Sequence, residues 1–221
     1  MGLLTDLLTE KPADCIRLVL VRHARDSGTQ GTDTVRIRRE LTALGLLQTR
    51  RLAARLATTQ FDHLYTSDSA RAYQTFEEIR RSRPQTPFTV CRELREIKSY
   101  CWVDGLRLDE ETVERVQKER QAVHRFMEQI LARHQPGQRL LVVAHANVIR
   151  YLLSAAQFGP YDAALPLRPP GDDCQPLPAP GQSTIISMNN SSISVMDVRP
   201  GQVPANRVIN DLGHLPPAER S

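Results

Sequence analysis

The chain has 221 residues, enough for one large domain with a substantial core. Hydrophobic residues make up 40% and charged residues 24%, which is ordinary for a soluble protein, and no apolar run approaches the roughly 20 residues of a membrane span. The 29 basic and 25 acidic residues leave a net charge of +4, too little to argue for nucleic acid but favourable to an anionic substrate where the excess is local.

Residues 1–15 read as a leader closed by Lys11-Pro12, in which residues 2–10 can form a short amphipathic helix. The start lacks a basic region followed by a signal-peptide core, and Asp6 spoils a myristoylation signal, so a membrane anchor is not expected. Cys15, Cys91, Cys101 and Cys174 are scattered without a Cys-x-x-Cys pair, which suggests neither a disulfide framework nor a zinc site. Reduced thiols and a cytoplasmic location are the expectation.

Ile16 to Val21 is an aliphatic run containing one arginine, the pattern of a buried parallel strand, and it ends abruptly in Arg22-His23. Residues 25–40 form a polar loop carrying Arg36, Arg38 and Arg39: a solvated surface, or a basic rim that recruits a phosphorylated substrate. Thr42 is a good N-cap for a helix to about Thr58, with Leu44, Leu47, Leu52 and Leu56 on its apolar face and Gly45 tolerated near its start. Phe61 to Thr66 reads as a second strand. Ser67-Asp68-Ser69 starts the next helix, with Ala72, Thr75, Phe76 and Ile79 at helical spacing and Pro84 as its stop.

Phe88 to Cys91 is a short third strand, followed by an irregular segment to Leu108 that holds Trp102. Glu110 to His134 forms a long helix, with Val113, Val116, Val123, Met127 and Ile130 on one face. Arg139 to Ala144 is a fourth strand ending at His145, and a helix from about Asn147 to Ala156 follows directly. Residues 159–181 carry seven prolines and read as a long loop or lid. Thr184 to Met188 and Ile193 to Val198 read as a hairpin, Val203 to Ile209 as a further strand, and residues 216–221 as a frayed tail. The whole chain, 1–221, is expected to be a single domain of α/β class: a three-layer α/β/α sandwich around a mostly parallel mixed sheet.

Two strand ends share one form: Leu20-Val21-Arg22-His23 and Val142-Val143-Ala144-His145. Neighbouring parallel strands bring both imidazoles to the C-terminal edge of the sheet, where open α/β folds place ligands. Each histidine alone reads as structural; the matching pair points to a site. Arg71, in the first turn after Ser67-Asp68-Ser69, points back to the same edge. Arg22, His23, Arg71 and His145 together suit a phosphoryl group with a histidine as nucleophile. This set contains no carboxylate to hold a metal, so neither a metal nor another cofactor is expected.

These segments resemble the histidine phosphatase, or phosphoglycerate-mutase-like, superfamily. The likeness rests on Val21-Arg22-His23, on residues 41–48 and 67–75, on Leu94-Arg95-Glu96 and on residues 144–150. Within it, residues 144–151, Gln157-Phe158, residues 188–193, Asn210 to His214 and Pro216-Pro217 are most similar to the mitochondrial Ser/Thr protein phosphatases of phosphoglycerate-mutase type. The resemblance implies His23 as the nucleophile, Arg22, Arg71 and His145 as ligands of the phosphoryl oxygens, and Glu96 as the general acid, with Glu93 and Asp104 as alternatives. Ala24 stands where the family commonly has Gly, and Arg25-Asp26-Ser27-Gly28 departs from the mutases, which argues against mutase activity.

The implied function is a phosphatase acting through phosphohistidine, on phosphoproteins or on small phosphomonoesters. A catalytically weak phospho-binding or scaffold protein is the rival from another class. No nucleic-acid or membrane partner is expected, and a homodimer is left open.

Overall fold

The computed structural model describes residues 3–28, 37–97, 110–158 and 188–220. The chain runs α1 (Leu3–Thr9), β1 (Ile16–Arg22), α2 (Ala43–Leu56), β2 (His63–Ser67), α3 (Ala70–Arg80), β3 (Phe88–Cys91), α4 (Glu110–Arg133), β4 (Arg139–Ala144), α5 (Ala146–Phe158), β5 (Ile193–Val198) and β6 (Ala205–Asp211). The six strands form one sheet in the order β3-β2-β4-β1-β5-β6. β1 to β4 run parallel, while β5 is antiparallel to both β1 and β6. This is the mixed, mostly parallel sheet expected from the aliphatic runs.

Side chains of β1 alternate between two cores. Ile16, Leu18 and Leu20 pack with Phe126, Met127 and Ile130 of α4 and Val148 and Leu152 of α5. Val19 and Val21 pack with Leu52 and Leu56 of α2, Phe76 and Ile79 of α3, and Leu4, Leu7 and Leu8 of α1. Helices on both faces explain why the strand reads as continuously apolar rather than alternating. Arg17 is tolerated within it because Asp197, its register partner on β5, accepts from Nε at 2.8 Å and from Nη2 at 3.1 Å. Its Nη1 also donates to the Leu7 carbonyl near the end of α1, at 3.1 Å.

The short amphipathic helix expected in the leader is present at residues 3–9, with Leu4, Leu7 and Leu8 buried. Two expectations change. On α2 the buried face is Gly45, Gln48, Thr49, Leu52 and Leu56, whereas Leu47 is exposed. The helix is rotated because it docks on backbone: Gln48 Oε1 accepts the Arg25 N–H at 2.9 Å, and its Nε2 donates to the Glu219 carbonyl at 2.6 Å. Among the described strands, β5 is flanked by β1 and β6. Finally, residues 217–219 form a 3-10 turn whose Glu219 carboxylate takes Arg51 Nε and Nη2 at 2.8 and 2.9 Å, so the end described as frayed is docked on α2. The expected features at Arg36, Trp102, Asp104, 159–181 and 184–187 lie outside the described residues. Among the described residues no helix is long and apolar enough to cross a membrane.

Gly45 is required rather than tolerated. A Cβ there would lie 2.1 Å from the Arg25 carbonyl oxygen, which also accepts the Thr42 N–H at 3.0 Å. Gly45→Ala is therefore expected to cost about 2–3 kcal/mol by forcing α2 off this backbone, measurable as a lowered denaturation midpoint. A stability equal to wild type would show that the contact relaxes freely.

Candidate active site

The register Arg22↔Ala144 sets the C-terminal ends of β1 and β4 side by side, and the His23 N–H donates to the Ala144 carbonyl at 2.9 Å. His23 and His145 follow at once, both buried, with ring centroids 5.0 Å apart and planes at 62°. Arg71, in the first turn of α3, closes the triangle. Its Nε donates to His23 Nε2 at 3.1 Å and its Nη2 to His145 Nδ1 at 3.0 Å.

A guanidinium can only donate, so both imidazole nitrogens facing it are bare. The proton of His23 sits on Nδ1, donated to the Ala24 carbonyl at 2.7 Å, and its lone pair is on Nε2. His145 has the opposite tautomer, with Nε2–H donated to Ser67 Oγ at 3.0 Å. Burial, and then the charges of Arg71 and Arg22, hold His23 well below the ordinary imidazole range. His145 is lowered by burial, then by His23 and Arg71. Both rings stay neutral, and His23 keeps a lone pair for a nucleophile.

The main chain around His23 is fixed from several sides. Ala24 is fully buried and its N–H donates to Thr75 Oγ1 at 3.0 Å. The His23 carbonyl accepts the N–H of Ser191, a non-glycine residue at φ 59°. Arg22 donates through Nη1 to the Met188 carbonyl, while its Nε is buried without a partner among the described residues.

Arg22, His23 and Arg71 open into a cavity of about 600 Å³ that Glu93, Glu96 and Asn147 also line. The cations Arg39, Arg92, Arg95, Arg115 and Lys118 surround it, against Asp26 and Glu119. Glu96 Oε1 accepts the Asn147 backbone N–H at 3.0 Å, at the start of α5. Burial raises the Glu96 carboxyl above its usual range, opposed by that N–H and by Arg71 and Arg22. Glu93 shares the cavity. Arg95, between them, turns away to Asp68, with Nη2 at 2.6 Å from Oδ2. Of the basic loop, Arg39 lines the cavity and Arg38 is exposed.

The five residues singled out from sequence thus gather at one sheet edge: four line the cavity, and His145 sits directly behind Arg71. Sequence reasoning missed three others. Ser67 orients His145. Asn147, two residues after His145, orients Glu96. Asp26, three residues after His23, puts a carboxylate Oδ2 3.4 Å from Arg71 Nε. The short spacing of Asp26 and Asn147 from the two histidines, and of Ser67 from Arg71, was the available signal.

A third, half-buried histidine makes an acid-stability prediction. Burial, outweighing the opposing pull of Asp211, pushes His214 down to about 4. Its folded value lies below the unfolded 6.5, so the unfolded chain takes the proton first and stability falls as pH drops from 6.5 towards 4. His214 alone accounts for about 3 kcal/mol of that loss, and His23 and His145 act in the same direction. His214→Phe is expected to flatten the fall of Tm across this window; an unchanged slope would refute the assignment.

The sequence model of the histidine phosphatase superfamily (branch 1) matches residues 18–169. Serine/threonine-protein phosphatase PGAM5, mitochondrial, of Xenopus tropicalis is 26% identical over 217 residues, covering 96% of this chain and 70% of that protein. Among solved structures, phosphoglycerate mutase from Bacillus anthracis superposes with a TM-score of 0.63 at 14% identity, covering 92% of this chain and 96% of that one. The α-ribazole phosphatase of Shigella flexneri superposes at 0.61 with 20% identity, covering 89% and 96%.

Proposed function

The chain belongs to the histidine phosphatase superfamily, as a phosphomonoester hydrolase, and from that premise we propose that it dephosphorylates Ser/Thr residues of phosphoproteins through a phosphohistidine at His23. The observation that carries the chemistry is the bare Nε2 of His23, facing Arg71 Nε at 3.1 Å beside a cavity lined by Arg22 and Glu96.

In the first step His23 Nε2 attacks phosphorus, forming the N–P bond as the P–O bond to the leaving group breaks in line. Arg22 and Arg71 hold the equatorial oxygens, and His145 orients Arg71 and adds its own dipole. Glu96, whose burial favours the protonated form, gives its proton to the leaving oxygen. In the second step the Glu96 carboxylate takes a proton from water, the hydroxide oxygen attacks phosphorus, and the N–P bond returns its electrons to Nε2. Inorganic phosphate leaves, and both side chains are back in their starting states.

The protein-substrate part rests on the likeness to a relative named as a serine/threonine-protein phosphatase and on the cationic cavity wall. Rapid acid-free quenching with a labelled activated ester is expected to trap an acid-labile, alkali-stable phosphoenzyme. Phosphoserine and phosphothreonine peptides are expected to be turned over with higher kcat/KM than sugar, nucleotide or glycerate phosphates. A strong preference for one metabolite phosphate would overturn the protein-substrate part and leave the phosphohistidine chemistry.

A further inference from the structure

Asp26 lies among arginines. Its Oδ2 is 3.4 Å from Arg71 Nε and 3.6 Å from Arg39 Nη1, and its side chain is 17% exposed. The backbone fixes this position from both sides. Asp26 bridges antiparallel to Leu41, whose N–H donates to Gln74 Oε1 at 2.8 Å, and the preceding Arg25 N–H is held by Gln48. One guanidinium nitrogen, Arg71 Nε, therefore faces both the carboxylate and His23 Nε2. A phosphoryl group on Nε2 needs that N–H for one of its own oxygens and lies beside a charge of its own sign.

We propose that Asp26 is a specificity-determining residue that stands in for the phosphoryl oxygens in the free protein, holding Arg71 and Arg39 until a substrate displaces it. This rests on the phosphatase reading of the pocket. Inorganic phosphate has only its own oxygens with which to displace the carboxylate. An ester whose remainder reaches Arg115 and Lys118 draws on binding energy from those contacts as well. The carboxylate thus discriminates against the free product and in favour of larger anionic esters, a repulsive element of the kind that builds specificity.

The test is calorimetric titration of inorganic phosphate into the full chain and into Asp26→Asn and Asp26→Ser, with folding of each checked by thermal melting. Removing the competing charge is expected to tighten phosphate binding about tenfold in both variants, roughly the effect of one favourable charge contact. Asp68→Asn makes the same charge change at a carboxylate that is not itself part of the cavity lining and is paired with Arg95, and is expected to shift the Kd less than about twofold. A gain in affinity is not what a damaged pocket produces. Unchanged or weaker binding in both Asp26 variants overturns the proposal, as does an equal gain in Asp68→Asn. Calorimetry needs no turnover, so the two readings separate. Tighter phosphate with no hydrolysis by wild type keeps Asp26 and sinks the phosphatase reading; hydrolysis with unchanged affinities does the reverse.

Discussion

His23→Ala is expected to lower turnover of any phosphomonoester by about 10⁴-fold or more, with the fold intact. The imidazole supplies the neutral lone pair that meets Arg71 Nε at the cavity, and alanine leaves the guanidiniums without that group to accept phosphorus. The expected kinetic pattern is a collapse of kcat with phosphate binding retained, because Arg22 and Arg71 remain. The acid-labile phosphoenzyme should vanish with the turnover. If the variant keeps wild-type turnover, the nucleophile is elsewhere. If wild type itself shows neither turnover nor phosphoenzyme while binding phosphopeptides, the phospho-binding or scaffold reading takes over.

Glu96→Gln has the second-largest expected effect, and its size should depend on the leaving group. An alkoxide such as that of serine needs a proton as it departs, so losing the acid is expected to cost about 10²–10⁴-fold. A nitrophenolate leaves without help, so an aryl phosphate should lose far less in the first step. The pH profile carries a sign as well. Burial raises the Glu96 carboxyl, so its acid form persists upward in pH and activity on alkyl phosphates falls on the alkaline side as it ionises. His23 is depressed, so the acid-side loss comes well below pH 6.5. The optimum is thus expected between the two limbs, and the alkaline limb should disappear in Glu96→Gln. An equal loss on alkyl and aryl esters, with the limb retained, would move the acid role to Glu93.

The pair of strand ends was legible because a parallel strand buried on both faces leaves a long aliphatic run that stops where its polar cargo begins. Ile16 to Arg22 and Arg139 to Ala144 are such runs, and the register between them sets His23 beside His145. The face of α2 was not legible. Leu47 satisfies a helical period, but Gln48 is buried in its stead because its amide meets backbone groups of residues 25 and 219, neither of which periodicity along the helix can reveal. The docked C-terminal turn escaped for the same reason: Glu219 finds Arg51 across 168 residues of chain.

The sequence by itself determined the sheet-forming runs, the family, and five residues of the candidate site, because each is written in local pattern: apolar run, cap, or motif. Only the tertiary structure decided which nitrogen of His23 is bare, that Arg71 holds both histidines, that the Asn147 backbone N–H meets Glu96, and that Asp26 sits against Arg71. Those are matters of direction and distance between segments far apart in the chain. Burial then converts them into chemistry, lowering two imidazoles and raising one carboxyl only once the chain has closed around them.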